Sequence, residues 1–462
     1  MRHGDNGAVA ILVLAAGQGT RMKSDRPKVM QSVLDEPMIA HVLRVVEPYG
    51  TVGVVIGHGG DMVREYLDEQ WPQVTTIWQR ERLGTGHAVM MAREWLQGFE
   101  RVLIVNGDMP LLDGETVDML FEAHEGGCSF LTFNLDDPHG YGRVVRGERV
   151  RIVEERDCTP EERLVAEVNA GVYLADVPVL LQSLESLNQD NAQGEYYLVD
   201  SVVFFQDMGV PVVPVMVPNP RTLLGVNDPR ELAQAGRLLR DRLLNRWMAA
   251  GVKCVDPDSV WIGADVSFLG EAVLFPNVQL WGKTIVGIGA SIASFSILRN
   301  ANIGEQAQVK GFCCIEDSAM EPGSQAGPFC YMRQGSVLGS GAFAGKFVEV
   351  KNSRIGEGSK VPHLSYMGDT VVGTCTNVGA GTITCNYDGT SKHGTIIGDD
   401  VFVGSDTMLV APVHLGDRSM TGAGSIITRD VPEDALAIAR ARQRHIEGWR
   451  ARKKTGGGDH RK

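Results

Sequence analysis

Near its start the chain reads Leu14-Ala15-Ala16-Gly17-Gln18-Gly19-Thr20-Arg21-Met22, with Pro27-Lys28 close behind. A glycine-rich turn lets backbone N–H groups approach phosphate oxygens, and Arg21 and Lys28 bring two cations to the same place. The segment is not a dinucleotide fingerprint, because Met22 stands at the third glycine position, nor a P-loop, which needs Gly-Lys-Ser/Thr. On these residues alone, a bare turn beside surface cations remains the competing reading. The eight cysteines, among them Cys375 and Cys385, form no C-x-x-C pair, so a zinc ribbon or a thioredoxin motif is not indicated. Their scatter suits reduced cytosolic thiols.

The elements around the glycine turn read as an α/β domain. Candidate strands are 8–14, 52–56, 74–79, 102–106, 129–134 and 168–173, with helical patterns at 38–47, 60–68 and 86–96. Strands alternating with helices predict a mostly parallel sheet that binds ligands at the carboxyl ends of its strands. Gly17, Asp108 and Asn169 fall at or near such ends. After Asp228-Pro229, Leu232, Ala235, Leu239, Leu243 and Trp247 recur at helical spacing and predict a connector helix over 230–250.

Beyond Cys254 the period changes. Ile262, Phe268, Leu274, Leu280, Val286, Ile292 and Leu298 stand six apart, and the series returns at Ile397, Val403, Leu409, Leu415 and Ile427, with Thr421 as its polar exception. Hexads of this kind predict a parallel β-helix of roughly ten turns. Two segments break the register, 363–369 and 386–394, and are expected as loops extruded from the solenoid to build a binding surface. After Pro432 a short helix or arm should run to Trp449, and the basic, Gly-rich tail 450–462 should be disordered.

A formal charge of −13 argues against general nucleic-acid binding, which needs a basic face, while leaving small phosphorylated ligands open. Arg2 followed by an apolar stretch superficially resembles a signal peptide, but the stretch runs into the glycine turn. No run approaches the ~18 apolar residues of a membrane span, so a cytoplasmic protein is expected.

The sequence L-A-A-G-x-G-T-R-M…P-K resembles the signature of sugar-nucleotide pyrophosphorylases, and most of the chain is similar to the bacterial bifunctional uridylyltransferase/acetyltransferase family. The resemblance implies a Rossmann-like nucleotidyltransferase domain followed by a left-handed parallel β-helix of hexapeptide repeats. The implied boundaries are a uridylyltransferase domain at 1–228, a linker helix at 229–252, an acetyltransferase β-helix at 253–437, and an arm and tail at 438–462. Acetyl-CoA would acetylate glucosamine-1-phosphate, and UTP would then convert the product to UDP-N-acetylglucosamine with release of pyrophosphate. For the nucleotide and sugar the resemblance implies Leu14, Ala15, Ala16, Gly17, Lys28, Gln79, Gly84, Thr85, Asn106, Asp108, Gly142, Glu154, Asn169 and Asn227. Asp108 and Asn227 would hold Mg²⁺, an ion that takes few protein ligands beside phosphates and water, and Arg21 and Lys28 would be catalytic.

In the β-helix the resemblance implies Arg333, Lys351, Tyr366 and Asn377 for the sugar phosphate. It assigns Ala380, Asn386, Tyr387, Ser405, Ala423 and Arg440 to acetyl-CoA, and matches Lys392 as well. Acetyl transfer needs a base to deprotonate the substrate ammonium, and a neutral imidazole suits that task. His363 is the candidate, with Glu349 or Asn386 orienting the base or the amine and a backbone N–H near Ala380 receiving the oxyanion. An acetyl-thioester on Cys375 or Cys385 is the covalent alternative. Departures from the family pattern are Asn106 for Tyr, Ala170 for Thr, Gln334 for Pro, Pro362 for Gly, and Ala441-Arg442 for Val-Pro. A homotrimer acting on small molecules, without nucleic acid or membrane, is implied. The rivals are a single-activity nucleotidyltransferase whose β-helix only mediates oligomerisation, and a structural or metal-binding solenoid.

Overall fold

The computed structural model describes residues 9–455. The chain divides into two compact units, Met1–Leu243 and Leu244–Lys462.

In the first unit, β-branched Val9, Ile11 and Val13 set the strand Val9–Ala15 at the centre of a sheet. Thr51–Ile56 and Arg101–Asn106 flank it, both parallel, and Thr75–Trp78 extends the first of these. The order of strands therefore reverses at Val9–Ala15, and loops leaving either side open a crevice at their carboxyl ends. On the far side Glu167–Asp176 runs antiparallel to both Arg101–Asn106 and Cys128–Asn134. That reversal carries its amino end, with Asn169, to the same edge as the carboxyl ends of the parallel strands. Successive residues face opposite sides. Ile11, Val13 and Val105 pack with Leu43, Leu67 and Leu120 on one face, while Ala10, Leu12 and Ile104 pack with Val89, Leu180 and Phe205 on the other. The helix expected over 86–96 is two pieces, Thr85–Met91 and Arg93–Leu96. The break at Ala92 sets the Trp95 ring against Gly53, where a Cβ would come within 2.9 Å of it.

The helix Pro229–Ala249 leads into the second unit. Three parallel sheets of 11, 10 and 9 strands, begun by Lys253–Cys254, Trp261–Ile262 and Ser267–Phe268, form the walls of a left-handed β-helix. Leu274, Leu280, Val286, Ile292 and Leu298 are fully buried inside it.

The hexads do not stop at Leu298. Some corners hold one residue fewer, so the inward series continues through Ile303, Val309, Ile315, Met320 and onward to Val372 and Val378. At these tight corners Asn300, Asp317, Asn352 and Asp369 take φ of 45 to 49°, a conformation that short polar side chains tolerate. Their side chains bond along the column, Asn300 Nδ2 to Asp317 Oδ1 at 2.9 Å and Asn352 Nδ2 to Asp369 Oδ1 at 2.6 Å. Consequently 363–369 is not an extruded loop. His363 ends the strand Lys360–His363, and Tyr366–Gly368 continues the next wall. Only 386–394 leaves the solenoid.

Past Val431 the chain makes the short strand Leu436–Ala437 and forms no further helix until Trp449–Thr455. The helix thus lies in the part of the tail expected to be disordered, where good helix formers run from Arg450 to Lys454 and the first breaker is Gly456. The remainder of that tail, 456–462, is outside the described residues, as are Arg2 and Ala8.

Candidate functional site

The glycine turn lies where the fold opens. Gly107 N–H donates to Leu14 C=O at 2.9 Å and Gln79 N–H to Ile56 C=O at 2.8 Å, so four strand ends are tied in two neighbouring pairs. Between them is a cavity of about 540 Å³ lined by Ala15, Ala16, Gly17, Lys28, Gln79 and Gly84 among others. A second, of about 270 Å³, is lined by Arg21, Gly142, Glu154, Asn169, Ala170 and Asn227. Leu14, Thr85, Asn106 and Asp108 border both.

Glycine is required at two points of this frame. Gly19 has φ +63°, and a Cβ there would lie 2.6 Å from Lys28 Cβ; Gly84 has φ +105°, and a Cβ would lie 2.5 Å from Tyr196 O. The buried Gln79 uses Nε2 against Gly84 C=O at 3.1 Å and His87 Nδ1 at 3.0 Å. That turns its carboxamide toward the cavity wall next to Thr85. Asn169 is held by its own strand: Nδ2 donates to Tyr173 Oη at 2.6 Å, and Oδ1 accepts Gly171 N–H at 3.1 Å. Asn106 stands against Gly171, whose absent Cβ leaves room for Nδ2. Burial pushes the Glu154 carboxyl up, reinforced by the charges of Asp157, Asp200 and Glu195.

Asp108, Asn227 and Lys28 converge. Val226 N–H donates to Asp108 C=O at 2.9 Å, fixing Asn227 beside the Asp108 carboxylate. The Lys28 ammonium pairs with that carboxylate and donates to Asn227 Oδ1 at 3.0 Å. Both oxygens thus reach one cation, so the pair fits a divalent ion. Among the described residues no three His, Cys, Asp or Glu side chains gather for a metal. An ion here would complete its shell with substrate oxygens and water, as Mg²⁺ does. Sequence reasoning passed over Arg82, which bonds Gln18 Oε1 across the mouth of the first cavity. The two are separated by 64 positions, and no local pattern links them.

The second site is built on the β-helix. Register along one wall stacks Arg333 under Lys351, and Tyr331, Glu349 and Tyr366 in the neighbouring row. Arg333 grips Glu349 Oε1 through Nη2 at 2.8 Å and Nε at 3.0 Å. Burial would push the Asp369 carboxyl up, but hydrogen bonds from Asn352 and Asn386, with Lys351 and Lys392 nearby, hold it below the usual carboxylate range. Asn386 Nδ2 bonds Asp369 Oδ2 at 2.5 Å and reaches Tyr366 Oη at 3.4 Å. Lys392 is pushed down by its contact with Lys351 and by the charge of that neighbour. Two lysines in contact leave a cationic notch that an anion would relieve.

The loop 386–394 that delivers Lys392 is braced internally. Asp388 accepts from Thr390 and Ser391 N–H, both at 2.7 Å, and meets His393 Nε2 at 2.7 Å. Tyr387, at its base, is exposed.

His363, Ala380, Ser405 and Ala423 occupy one corner column on successive coils. Gly381 N–H reaches His363 C=O at 3.4 Å, Asp406 N–H reaches Ala380 C=O at 2.6 Å, and Gly424 N–H reaches Ser405 C=O at 2.8 Å. Arg440 caps the column by donating to Ala423 C=O. The weakest of these links is above His363, and Pro362 accounts for it. Proline has no N–H for the ladder, and pairing between Lys360–His363 and Asn377–Val378 shrinks to Lys360 with Asn377. Asn377 therefore belongs to the wall that ends in His363, not to the wall carrying Arg333 and Lys351. The two cysteines differ: Cys375 is exposed at a corner, and Cys385 is half-buried.

Together the crevice and the decorated solenoid define a nucleotidyltransferase joined to a hexapeptide acyltransferase. Residues 11–219 match the MobA-like NTP transferase domain, and 394–429 match the bacterial transferase hexapeptide (six repeats). The bifunctional protein GlmU of Heliobacterium modesticaldum is 44% identical over 96% of this chain and 98% of its own length. The Streptomyces avermitilis protein of the same name is 44% identical over 97% and 95%, and that of Fervidobacterium nodosum 43% over 96% and 97%. The chain belongs to the bifunctional GlmU family, and its reactions are acetyl transfer and uridylyl transfer in the synthesis of UDP-N-acetylglucosamine.

Proposed function

We propose that residues 1–228 carry uridylyl transfer and 253–437 acetyl transfer, with 229–252 as the connector and 438–462 as the arm and tail. The observation that carries this reading is that each unit holds its own cationic site on its own frame, Arg21 and Lys28 in the first, Arg333, Lys351 and Lys392 in the second. Acetylation comes first. Glucosamine-1-phosphate docks its phosphate at Arg333, Lys351 and Lys392. His363 removes a proton from the ammonium, and the freed amine attacks the thioester carbon of acetyl-CoA lying along Ala380, Ser405, Ala423 and Arg440. The carbonyl oxygen gains charge beside the Ala380 N–H, which bonds nothing else among the described residues. The C–S bond then breaks and coenzyme A leaves as its thiol.

In the second step a phosphate oxygen of N-acetylglucosamine-1-phosphate attacks the α-phosphorus of UTP, and the bond to the β-phosphate breaks. The attacking phosphate is already anionic near pH 7, so no base is needed. Gln79, Gly84 and Thr85 hold the base, Glu154 and Asn169 the sugar, and Arg21 and Lys28 the phosphates. When bound at Asp108 and Asn227, Mg²⁺ would neutralise charge on the phosphate oxygens.

The protein is further proposed to be a cytoplasmic homotrimer supplying a cell-wall precursor. No helix among the described residues is long and apolar enough to cross a membrane. Support for assembly is an apolar spine on the corner that leads to His363. The rings of Phe295, Phe312, Phe329 and Phe347 stack with centroids 4.9 to 5.1 Å apart, each 46 to 58% exposed. A patch of that kind marks an interface. Sedimentation of the wild type should show a trimer that releases coenzyme A when glucosamine-1-phosphate is added. Phe312→Glu with Phe329→Glu should dissociate it and depress acetyl transfer while sparing uridylyl transfer. A wild-type monomer at micromolar concentration with full acetyl transfer would contradict the assembly. No coenzyme A release at all would leave the solenoid a scaffold.

A further inference from the structure

The nucleotidyl-transfer site already holds a positive charge between its two oxygen donors. Asp108 and Asn227 come from segments more than a hundred positions apart, tied by the bond from Val226 N–H to Asp108 C=O. Their oxygens meet on Lys28 Nζ. The Lys28 and Asp108 side chains are 14% and 19% exposed, so the contact is largely shielded from water. Arg21, the other cation of the glycine turn, makes no ion pair among the described residues. The stem of Lys28 is fixed beneath Gly19, whose missing Cβ is the space its own Cβ occupies. Its head is therefore on a flexible tether rooted under the phosphate-facing loop.

We propose that Lys28 is a stand-in cation: it occupies the Asp108–Asn227 pair until a nucleoside triphosphate arrives, and then moves to a phosphate. The inference rests on the reading of Asp108 and Asn227 as the metal ligands. An ammonium and a divalent ion cannot share two oxygens, because at such separations their repulsion is large even at an effective dielectric of about 20. Lysine suits this role because its charge is compact and its stem has freely rotating bonds. The triphosphate supplies what the exchange needs, a new anionic partner for Lys28 and further oxygens for the metal. Binding of the metal thereby becomes conditional on nucleotide, and the empty site is protected from ions that bind oxygen and nitrogen donors more tightly than Mg²⁺. By reciprocity, the metal raises the affinity for nucleotide by the same factor.

Mn²⁺ serves as the probe, its free concentration read by electron paramagnetic resonance on the full-length protein, with and without UTP and with no sugar phosphate. Wild type should bind Mn²⁺ weakly alone and more tightly with UTP. Lys28→Met should raise nucleotide-free Mn²⁺ affinity about tenfold or more, the scale of one charged hydrogen bond removed. It should also shrink the coupling between Mn²⁺ and UTP. Lys28→Gln, which keeps the stem and a polar head, should do the same. Asp108→Asn should lose Mn²⁺ binding in both states. If Asp108→Asn loses the metal but both Lys28 variants bind it within about twofold of wild type without nucleotide, Lys28 is no stand-in. If Asp108→Asn binds Mn²⁺ normally, the ligand assignment itself fails and the proposal falls with it.

Discussion

His363→Ala should lower acetyl-transfer turnover by about 10²–10⁴-fold, the contribution of a positioned general base, and leave uridylyl transfer from ready-made N-acetylglucosamine-1-phosphate near wild type. The substrate amine is mostly ammonium at neutral pH and has no lone pair with which to attack a thioester. His363 ends a wall strand at the exposed corner, where its backbone C=O accepts from Ser365 Oγ and Gly381 N–H while its imidazole makes no hydrogen bond among the described residues, so the ring is available to substrate. Arg333 and Lys351, the residues proposed to hold the phosphate, lie on a different wall, so KM for the sugar phosphate should change much less than turnover. Assaying both half-reactions separately on wild type and variant checks this. A fall in acetyl transfer of less than about threefold, far below the general-base range, would pass the role to Glu349 or to Cys375 or Cys385.

Asp108→Ala should depress UDP-N-acetylglucosamine formation by more than about 10²-fold, the scale of losing a main electrostatic contributor to charge transfer. Acetyl transfer should stay within about twofold, because every residue proposed for it lies in the other unit. Among the described residues the variant removes the only carboxylate paired to Lys28, and it leaves Asn227 as the lone oxygen donor of the proposed pair. Steady-state pyrophosphate release, with Mg²⁺ varied, is the measurement. A variant that keeps most of its rate at ordinary Mg²⁺ would show that the metal is held elsewhere.

How far these sites can be read from sequence differs between the two units. The glycine turn, Lys28, Asp108 and Asn227 are visible as oxygen donors and cations, but their meeting is not. Nothing local records that a lysine at 28 reaches a carboxylate at 108 and an amide at 227. The strand Glu167–Asp176 is legible as 168–173, but its antiparallel direction is not, because alternation of apolar residues does not carry direction. In the solenoid the strict six-residue spacing was plain up to Leu298 and again from Ile397. Between them the corners at Asn300, Asp317, Asn352 and Asp369 shorten the period, and a fixed-period reading loses phase. The same slip made 363–369 look like a loop, whereas 386–394, a true insertion, was found by the same test. The Phe spine was also concealed, since rings spaced 17 or 18 apart stack only once the coil length is known.

On this reading one chain runs two successive reactions at separate sites. Mixing His363→Ala with Asp108→Ala tests it most directly, with glucosamine-1-phosphate, acetyl-CoA and UTP supplied and the products weighed by mass spectrometry. Neither protein alone should make more than traces of UDP-N-acetylglucosamine, and Asp108→Ala alone should accumulate N-acetylglucosamine-1-phosphate. The mixture should make the nucleotide sugar, as the intermediate passes in solution from one protein to the other. Full synthesis by either variant alone, or none from a mixture whose members each retain their own half-reaction, would contradict the account.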